Sequence, residues 1–383
     1  MRGTPRDKRV RTRRPAGLRP LWAWLILLGL ASAVAADKSP DPFHWGVTGH
    51  PNVQEGYCHV PMATQLNLLA QLGVGWYRCD WDQARLERSP EVYDRLVGQA
   101  LRKGIRILPI IFPSTSCRSG ATPEEIRQAS FDFARWLVGR YGGLITHWEL
   151  DNELDGFTMV RKGETCRTGL LWQWGDPDGD RPEHYEETRY QKAKAEFLGL
   201  HEGVKAGDPQ ARTIINTGGW LHYGFIERLV REDNVPFDIL AWHWYSEMGD
   251  ITKVRGNFNL LEHLKGYGKP IWFTEVDRRG GSQGGKEAEQ AAYLTATGRQ
   301  LRADPGVEAF FVYELLDEPY FGEDNPESHY GLVELIRGES GRWRIGRKKE
   351  AFRALARVIE SSGRNQAWSI GRDMTSGGGE AGT

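Results

Sequence analysis

Two glutamates directly follow predicted strands, and two carboxyl groups can act together as an acid/base and a nucleophile. The segment Ile145–Asn152 reads as a strand, and Glu153 comes directly after it. The segment Ile271–Thr274 reads as a second strand, and Glu275 comes directly after that one. Cleavage of a glycosidic bond needs two carboxyl groups, one to protonate the leaving oxygen and one to attack or stabilise the anomeric carbon. Glu153 and Glu275 therefore predict a site for that chemistry, provided that the fold brings the two strand ends together.

The order of the predicted elements provides such a fold. Short β-rich segments alternate with amphipathic helical segments eight times over about 320 residues. Eight βα units predict an α/β fold, a (β/α)₈ TIM barrel in one domain, and a barrel carries its chemistry at the C-terminal ends of its strands. The predicted strands are His44–Gly49, Trp76–Trp81, Ile105–Phe112, Ile145–Asn152, Thr213–Thr217, Ile239–Tyr245, Ile271–Thr274 and Ala309–Tyr313. The predicted helices are Met62–Leu72, Tyr93–Lys103, Pro123–Tyr141, Tyr190–Ala206, Phe225–Glu232, Leu260–Lys265, Glu287–Arg302 and Lys348–Glu360.

An open, doubly wound sheet is the alternative fold, since it shows the same alternation of strands and helices. Such a sheet usually carries a Gly-rich phosphate loop after its first strand. Residues 44–50 read His-Trp-Gly-Val-Thr-Gly-His, which is not the GxGxxG pattern. The sequence therefore favours the closed barrel.

Other acids lie close to Glu153. Side chains two apart in a strand share a face, so Glu149, Asp151 and Glu153 could all point inward. A single glutamate at a strand end is more often a solvated loop residue. Two glutamates at the ends of strands 4 and 7 of one barrel are much harder to produce by chance, and Asp151 is the weaker competitor for the role of Glu153.

The segment Leu154–Glu187 is too long for a plain connection and predicts an insertion after strand 4. Structureless loops of this length are usually functional or disordered. Trp172 and Trp174 lie within it, and in an extended segment two such side chains point the same way. We expect one or both to stack on a glycan unit beside the scissile bond. The alternative is that they pack the insertion onto the barrel.

Four cysteines are widely spaced and lack the spacing of a zinc site. In an oxidising compartment they predict disulfides. Cys117 follows strand 3 and Cys166 lies in the insertion, so their loops are neighbours on the same face of the barrel. We expect a Cys117–Cys166 disulfide, with Cys58 and Cys79 as a second pair.

The N-terminus has the layout of a secretory signal. Eight basic residues and one acidic residue lie within residues 1–19, and an uncharged stretch, Leu21–Ala36, follows. Sixteen uncharged residues fall short of the roughly 20 that a spanning helix needs, so a leader kept as a membrane anchor is the weaker alternative to cleavage. The predicted organisation is a signal peptide at 1–36, a barrel at 37–361 and a disordered tail at 362–383. The expected location is secreted or periplasmic, with no stable membrane span after cleavage.

Removal of this leader changes the charge of the chain. The net charge of the whole sequence is −1, and the leader contributes +7, so the mature chain carries about −8. An acidic surface repels nucleic acid and anionic lipid. A glycan is therefore the expected partner, and the mature chain is expected to be a monomer.

With these residues in place, the chain resembles a clan A glycoside hydrolase, and most closely the family 39-like enzymes that cut bacterial polysaccharides. In that clan an Asn-Glu pair ends strand 4 and a glutamate ends strand 7. The resemblance implies that Asn152 binds a sugar hydroxyl, that Glu153 is the general acid/base and that Glu275 is the nucleophile. No cofactor and no metal is implied.

The resemblance extends to supporting residues. Strand 6 ends His243-Trp244-Tyr245, where the clan commonly has a His-x-Tyr. The likeness implies that Tyr245 donates a hydrogen bond to Glu275 and that Arg78, on strand 2, lies near the nucleophile. The alternative for Arg78 is a structural salt bridge to Asp80.

The sequence also departs from the clan. Asp151 stands where family members often have tryptophan, and strand 8 lacks the usual tryptophan, which leaves Tyr313 as a substitute in substrate binding. Both changes put the substrate in doubt rather than the reaction.

Taken together, these features predict a retaining glycosidase that cleaves β-linked glycans by double displacement. A transglycosylase would use the same residues and pass the sugar to another sugar instead of water. A non-catalytic glycan-binding barrel would have misplaced glutamates. A metal-dependent barrel hydrolase is the weakest alternative, because no predicted strand carries His-x-His.

Overall fold

A closed barrel of eight parallel strands forms the centre of the protein, with the strands in sequential order from β1 to β8. The computed structural model describes residues 43–373, with side chains to residue 362. The predicted (β/α)₈ fold is confirmed. The strands are β1 His44–Gly49, β2 Trp76–Asp82, β3 Arg106–Phe112, β4 His147–Leu150, β5 Arg212–Ile215, β6 Ile239–Tyr245, β7 Ile271–Asp277 and β8 Val307–Val312, and an added hairpin comprises β9 Val333–Arg337 and β10 Trp343–Lys348.

Helices connect the strands. Helices Pro123–Tyr141 and Glu187–Gly207 pack closely because Gly199 and Gly203 lie against the backbone of the first of them. A π-helical turn, Arg228–Glu232, continues the helix after β5. The helices are α1 Glu55–His59, α2 Met62–Leu72, α3 Gln83–Arg88, α4 Pro90–Arg102, α5 Pro123–Tyr141, α6 Leu154–Thr158, α7 Glu187–Gly207, α8 Tyr223–Glu227, α9 Leu260–Lys265, α10 Glu287–Arg302 and α11 Glu350–Asp373.

The interior of the barrel separates an apolar layer from a polar one. Side chains from different strands fill the apolar layer and exclude water from it, namely Trp76, Leu108, Ile214, Ile239, Ala241, Trp272, Ala309 and Phe311. Toward the C-terminal ends of the strands the buried side chains become charged, beginning with Arg78, Glu149 and Glu275. Functional groups collect at this end, as in other barrels.

A bulge between β6 and β7 sets the position of the second glutamate. The register shifts after Trp242, so that His243 pairs with Glu275. Strand β7 continues to Asp277, three residues past the predicted end, and every residue of it is buried. Glu275 therefore lies within the strand rather than on the loop after it.

Strand β4 is shorter than predicted, and this removes Asp151 from the inner face. The strand ends at Leu150, and both Asp151 and Glu153 have left-handed backbone, with φ of 56° and 51°. The two-residue alternation of a strand no longer holds in such a segment. The expectation that Glu149, Asp151 and Glu153 share one face is wrong for Asp151.

The insertion after β4 is ordered by polar contacts. Arg189 donates hydrogen bonds to both oxygens of Glu164, at 2.9 and 2.6 Å, and to the carbonyl of Met159, at 2.8 Å. Two isolated bridges, Met159 to Tyr185 and Thr165 to Leu171, shape it into nested hairpins. These contacts tie the insertion to helix α7.

The two ends of the chain were predicted to be a signal peptide and a disordered tail. The predicted signal peptide lies outside the described residues. The last helix continues to Asp373, past the predicted end of the barrel at 361, and residues 374–383 of the predicted tail lie outside the described residues. No helix within 43–373 is long and apolar enough to cross a membrane.

Candidate active site

Glu275 is held by two donors at the C-terminal end of the barrel. Arg78 Nη1 donates to Glu275 Oε1 at 2.7 Å, and the Tyr245 hydroxyl donates to Oε2 at 2.9 Å. The Glu275 residue is 7 % exposed. Burial, and then the charge of Glu275, raise the pKa of Tyr245 well above its usual value, so this hydroxyl keeps its proton. The contact that the resemblance implied for Tyr245 is present.

Arg78 connects Glu275 to a second, deeper carboxylate. Its Nε and Nη2 donate to Glu149 at 2.6 and 3.1 Å, and Nη2 also donates to Asn152 Oδ1 at 2.8 Å. Arg78 and Glu149 are both fully buried. Burial alone would lower the pKa of the guanidinium, but Glu149 and Glu275 raise it. The alternative of a salt bridge to Asp80 is wrong, because Asp80 pairs with His50 instead.

Glu153 follows the C-terminal end of β4 and lines the same cavity as Glu275, which is described below. Its side chain is 41 % exposed, and its Oε1 lies 2.7 Å from His243 Nδ1. The Glu153 amide donates to Asn216 Oδ1 at 2.8 Å, which fixes the left-handed turn. A Cβ at Gly218 would lie 3.3 Å from the Glu153 carboxyl carbon, so a larger residue there would press on it.

His243 lies between the two glutamates. Its Nδ1 lies 3.5 Å from Glu275 Oε2 in addition to its contact with Glu153. Burial lowers the pKa of His243, but the charges of Glu275 and Glu153 outweigh it and raise the pKa above the usual 6.5. The contact nitrogen of His243 and one carboxylate oxygen from each glutamate all lie within 4.8 Å of one another.

A cavity of about 420 Å³ opens in front of this pair. Tyr313, the proposed substitute for a strand-8 tryptophan, lies in its wall and donates to Glu327 Oε2 at 2.9 Å. Asn152, Arg78 and Tyr245 also contribute to the wall. The complete lining is His50, Arg78, Asp80, Ile110, Asn152, Glu153, Tyr245, Glu247, Glu275, Arg279, Tyr313, Pro326, Glu327 and Tyr330.

Asp151, the competitor for Glu153, points elsewhere. Its carboxylate pairs with Arg118 Nη1 at 3.0 Å, and the side chain is 1 % exposed. Asp151 is not among the cavity-lining residues. This arrangement leaves Glu153 as the acid that faces the cavity from β4.

Trp172 and Trp174 lie apart from the glutamates. Their ring centroids are 5.0 Å apart at 75°, and Trp174 is 58 % exposed. They line a separate cavity of about 560 Å³ together with Cys166 and His184. Their stacking on a glycan stays a prediction, and any glycan unit that they bind would lie outside the cavity that holds Glu153 and Glu275.

The predicted disulfides are wrong, because all four cysteines are free. Cys117 lies beside helix α7, where its amide donates to Glu196. Cys166 lies in the hairpin of the insertion, with its sulfur 3.1 Å from the Thr168 hydroxyl. The two loops are neighbours, but the side chains of Cys117 and Cys166 do not form a bond. The salt bridge between Arg189 and Glu164 holds the insertion instead.

Several residues in and behind the cavity were not predicted from the sequence. His50 directly follows β1 and Asp80 lies near the end of β2, so a search for every polar residue at a strand end would have found both. Glu149 and Asn216 lie behind the cavity and orient Arg78 and Glu153. Other polar residues belong to loops and carry no local signal, namely Glu247, Arg279, Glu327 and Tyr330.

Part of the sequence matches a known protein family. Residues 189–329 match the family described as glycosyl hydrolase catalytic core. The matched range includes His243, Tyr245 and Glu275, whereas Glu153 precedes it. No curated protein matches the sequence.

Solved structures share the fold at low sequence identity. A family 39 glycoside hydrolase from the gut symbiont Bacteroides cellulosilyticus is 19% identical with a TM-score of 0.59, over 83% of this chain and 64% of that one. A β-glucosidase from Thermotoga maritima in complex with deoxynojirimycin is 13% identical with a TM-score of 0.58, over 84% and 98%. A xylanase from Thermotoga petrophila in complex with xylobiose is 16% identical with a TM-score of 0.57, over 84% and 95%. The chain thus has the (β/α)₈ fold of these glycosidases, and its residues 189–329 match the glycosyl hydrolase catalytic core family.

Proposed function

We propose that this chain is a retaining glycosidase that cleaves β-linked polysaccharides by double displacement. The observation that carries the proposal is the separation of the two carboxylates. Oxygens of Glu153 and Glu275 lie within 4.8 Å of each other. Retaining enzymes hold their carboxyl groups about 5–5.5 Å apart, whereas inverting enzymes need about 6.5–9.5 Å to admit a water molecule.

In the first step Glu275 attacks the anomeric carbon. Arg78 and Tyr245 each donate to one of its oxygens, which orients the carboxylate toward the cavity. Glu153 gives a proton to the departing oxygen. The products of this step are the free leaving group and a glycosyl ester on Glu275.

In the second step Glu153 accepts a proton from water, and the oxygen of that water attacks the anomeric carbon. The bond to Glu275 breaks and the carboxylate is restored. The larger exposure of Glu153, at 41 % of its side chain against 10 % for Glu275, supports its role as the group that meets water.

The shape of the protein around the cavity supports a polymeric substrate. Trp174 of the insertion is 58 % exposed beside one further cavity, and Trp220 is 45 % exposed in the wall of another. Such surfaces contribute binding along a chain rather than at one sugar. The basic and apolar N-terminal segment supports export, so we further propose that the enzyme meets this polymer outside the cytoplasm. We also propose that it acts as a monomer.

Two near-isosteric substitutions test the proposal, with aryl β-glycosides and a panel of polysaccharides as substrates. Glu275→Gln should lose at least about 10³-fold in kcat on every substrate, because no leaving group replaces the nucleophile. Glu153→Gln should lose as much on polysaccharides but far less on glycosides with an activated aryl leaving group, which needs no protonation. Asp151→Asn is the matched control and should keep most activity.

The outcomes separate the alternatives. Equal losses on activated and natural substrates in both variants would overturn the assignment of roles. Transfer to an added acceptor sugar in preference to water would indicate a transglycosylase. Binding without new reducing ends across the panel would indicate a glycan-binding barrel.

A further inference from the structure

A second group of ionisable side chains lies beside the cavity and takes no part in the proposed mechanism. It consists of His50, Glu314 and Glu318, and each residue is at least nine-tenths buried. One potential ligand atom from each residue lies within 4.8 Å of the other two. His50 forms part of the cavity wall, whereas Glu314 and Glu318 are not among the lining residues.

The ring of His50 is arranged like that of a metal ligand. Its Nδ1 lies 2.5 Å from Asp80 Oδ2, which fixes the ring and the proton on that nitrogen. Its Nε2 is buried and has no hydrogen-bond partner among the described residues. Histidines that bind metals almost always give their other ring N–H to a carboxylate or carbonyl in this way.

The two glutamates are also oriented by neighbours. Tyr57 donates to Glu314 Oε2 at 2.7 Å, and Tyr320 donates to Glu318 Oε1 at 2.8 Å. Glu314 Oε1 is buried and has no hydrogen-bond partner in the described part of the chain. A buried carboxylate oxygen that is left without a donor is costly, and a cation relieves that cost.

We propose that His50, Glu314 and Glu318 bind one divalent transition-metal ion. One imidazole and two carboxylates suit Mn²⁺ or Zn²⁺ better than Ca²⁺, which prefers oxygen ligands alone. The distance between His50 Nε2 and Glu314 Oε2 is 3.4 Å. Tetrahedral ligands at roughly 2.0–2.2 Å from a metal ion lie about 3.4 Å from each other, so these two atoms already have the required spacing.

The charge around the cluster is consistent with a cation. Asp80 and Glu327 lie near it, and their negative charges act on Glu318. Without a cation, protons are the competing occupants: burial raises the pKa of Glu318 to about 7, and burial together with Glu318 raises that of Glu314 well above its usual value. A dication would offset the same negative charge.

The proposed ion has a structural role and does not depend on the proposed hydrolysis. The His50 ring lies 5.6 Å from that of Tyr57 and 5.8 Å from that of Tyr313, both edge-on. A metal ion bound to Nε2 would hold this part of the wall in place. We therefore expect metal to raise thermal stability even in a variant that cannot turn over substrate.

Metal binding to the purified full-length chain tests the proposal. After treatment with a chelator, Mn²⁺ is titrated by calorimetry and by electron paramagnetic resonance, and Zn²⁺ is titrated in parallel. One equivalent should bind and should raise the melting temperature. Glu318→Gln and His50→Ala should each weaken binding at least tenfold. Glu323→Gln, an exposed carboxylate with an 89 % exposed side chain, is the matched control and should bind normally.

Three results would overturn the proposal. The first is no binding of either ion by the folded wild-type chain. The second is binding that Glu318→Gln and His50→Ala leave unchanged. The third is loss of binding in Glu275→Gln, which would place the ion at Glu153, His243 and Glu275, the other group that could hold a metal among the described residues. A Glu275→Gln variant that is inactive and still binds Mn²⁺ supports both proposals separately.

Discussion

Arg78 lies 2.7 Å from Glu275 and binds Glu149 through its other two nitrogens. One buried guanidinium thus offsets two buried carboxylates. Its removal leaves Glu149 without a positive partner, and breaking a buried pair costs about 3–5 kcal/mol. The same arginine therefore supports folding and orients the carboxylate of Glu275.

We expect Arg78→Ala to lower the free energy of unfolding by about 3–5 kcal/mol in urea titrations, since it leaves Glu149 buried and unpaired. Arg127→Ala is the control, because Arg127 pairs with Glu202 on the surface with both side chains more than a third exposed. Surface pairs contribute about 0–1 kcal/mol. If the two variants unfolded alike, the buried network would not stabilise the fold as described.

The stability of the protein should depend on pH through His243. Its pKa in the folded chain is raised above the unfolded value of 6.5, so protonated His243 stabilises the fold below about pH 6.5. That contribution is lost as pH rises through the folded pKa. We expect the difference in unfolding free energy between wild type and His243→Gln to be largest near pH 6 and to shrink toward pH 9.

His59→Gln provides the control for this pH dependence. His59 is half-buried in helix α1 and does not line the cavity. When His59→Gln is made in both backgrounds, it should leave the difference between wild type and His243→Gln unchanged at each pH. A difference between wild type and His243→Gln that is constant from pH 6 to pH 9 would contradict the placement of His243 between two carboxylates.

The state of the cysteines can be measured directly. We expect four reactive thiols per chain after unfolding without reductant, since all four cysteines are free. In the native protein Cys58 should react first, because it is exposed and Cys79 is fully buried. Fewer than four thiols in the unfolded, unreduced chain would show that the protein contains a disulfide.

The aromatic pair of the insertion predicts a difference between substrates. Trp174→Ala should lower kcat/KM on a polysaccharide about tenfold, equal to about 1.4 kcal/mol of binding, and leave a short aryl glycoside unaffected. Trp136→Ala is the matched control, since Trp136 is 40 % exposed on helix α5. A parallel fall on both substrates, or a collapse of the melting temperature, would make Trp172 and Trp174 structural.

The fold and the main pair of glutamates could be predicted from the sequence because they depend on local patterns. Strands β1 and β6 were predicted to the residue, since buried apolar runs mark them. Glu153 and Glu275 followed from their positions at strand ends. The hairpin β9–β10 was missed because its strands, rich in charged residues, lack a clear apolar alternation.

Side-chain pairing could not be predicted in the same way. The choice of Glu149 over Asp80 as the partner of Arg78 depends on which face of each strand points into the barrel. The turn at Asp151 and Glu153 depends on long-range contacts, among them the bond from the Glu153 amide to Asn216. The cluster of His50 with Glu314 and Glu318 joins residues more than 260 positions apart, and no local pattern encodes such a contact.

The stereochemistry of the first product tests the central claim most directly. A β-linked substrate is cleaved in an NMR tube, and the anomeric proton of the new reducing end is followed before mutarotation. With one carboxylate oxygen of Glu153 within 4.8 Å of one of Glu275, the account predicts that the β anomer forms first. A first product with the α configuration would mean inversion and would contradict double displacement through Glu275.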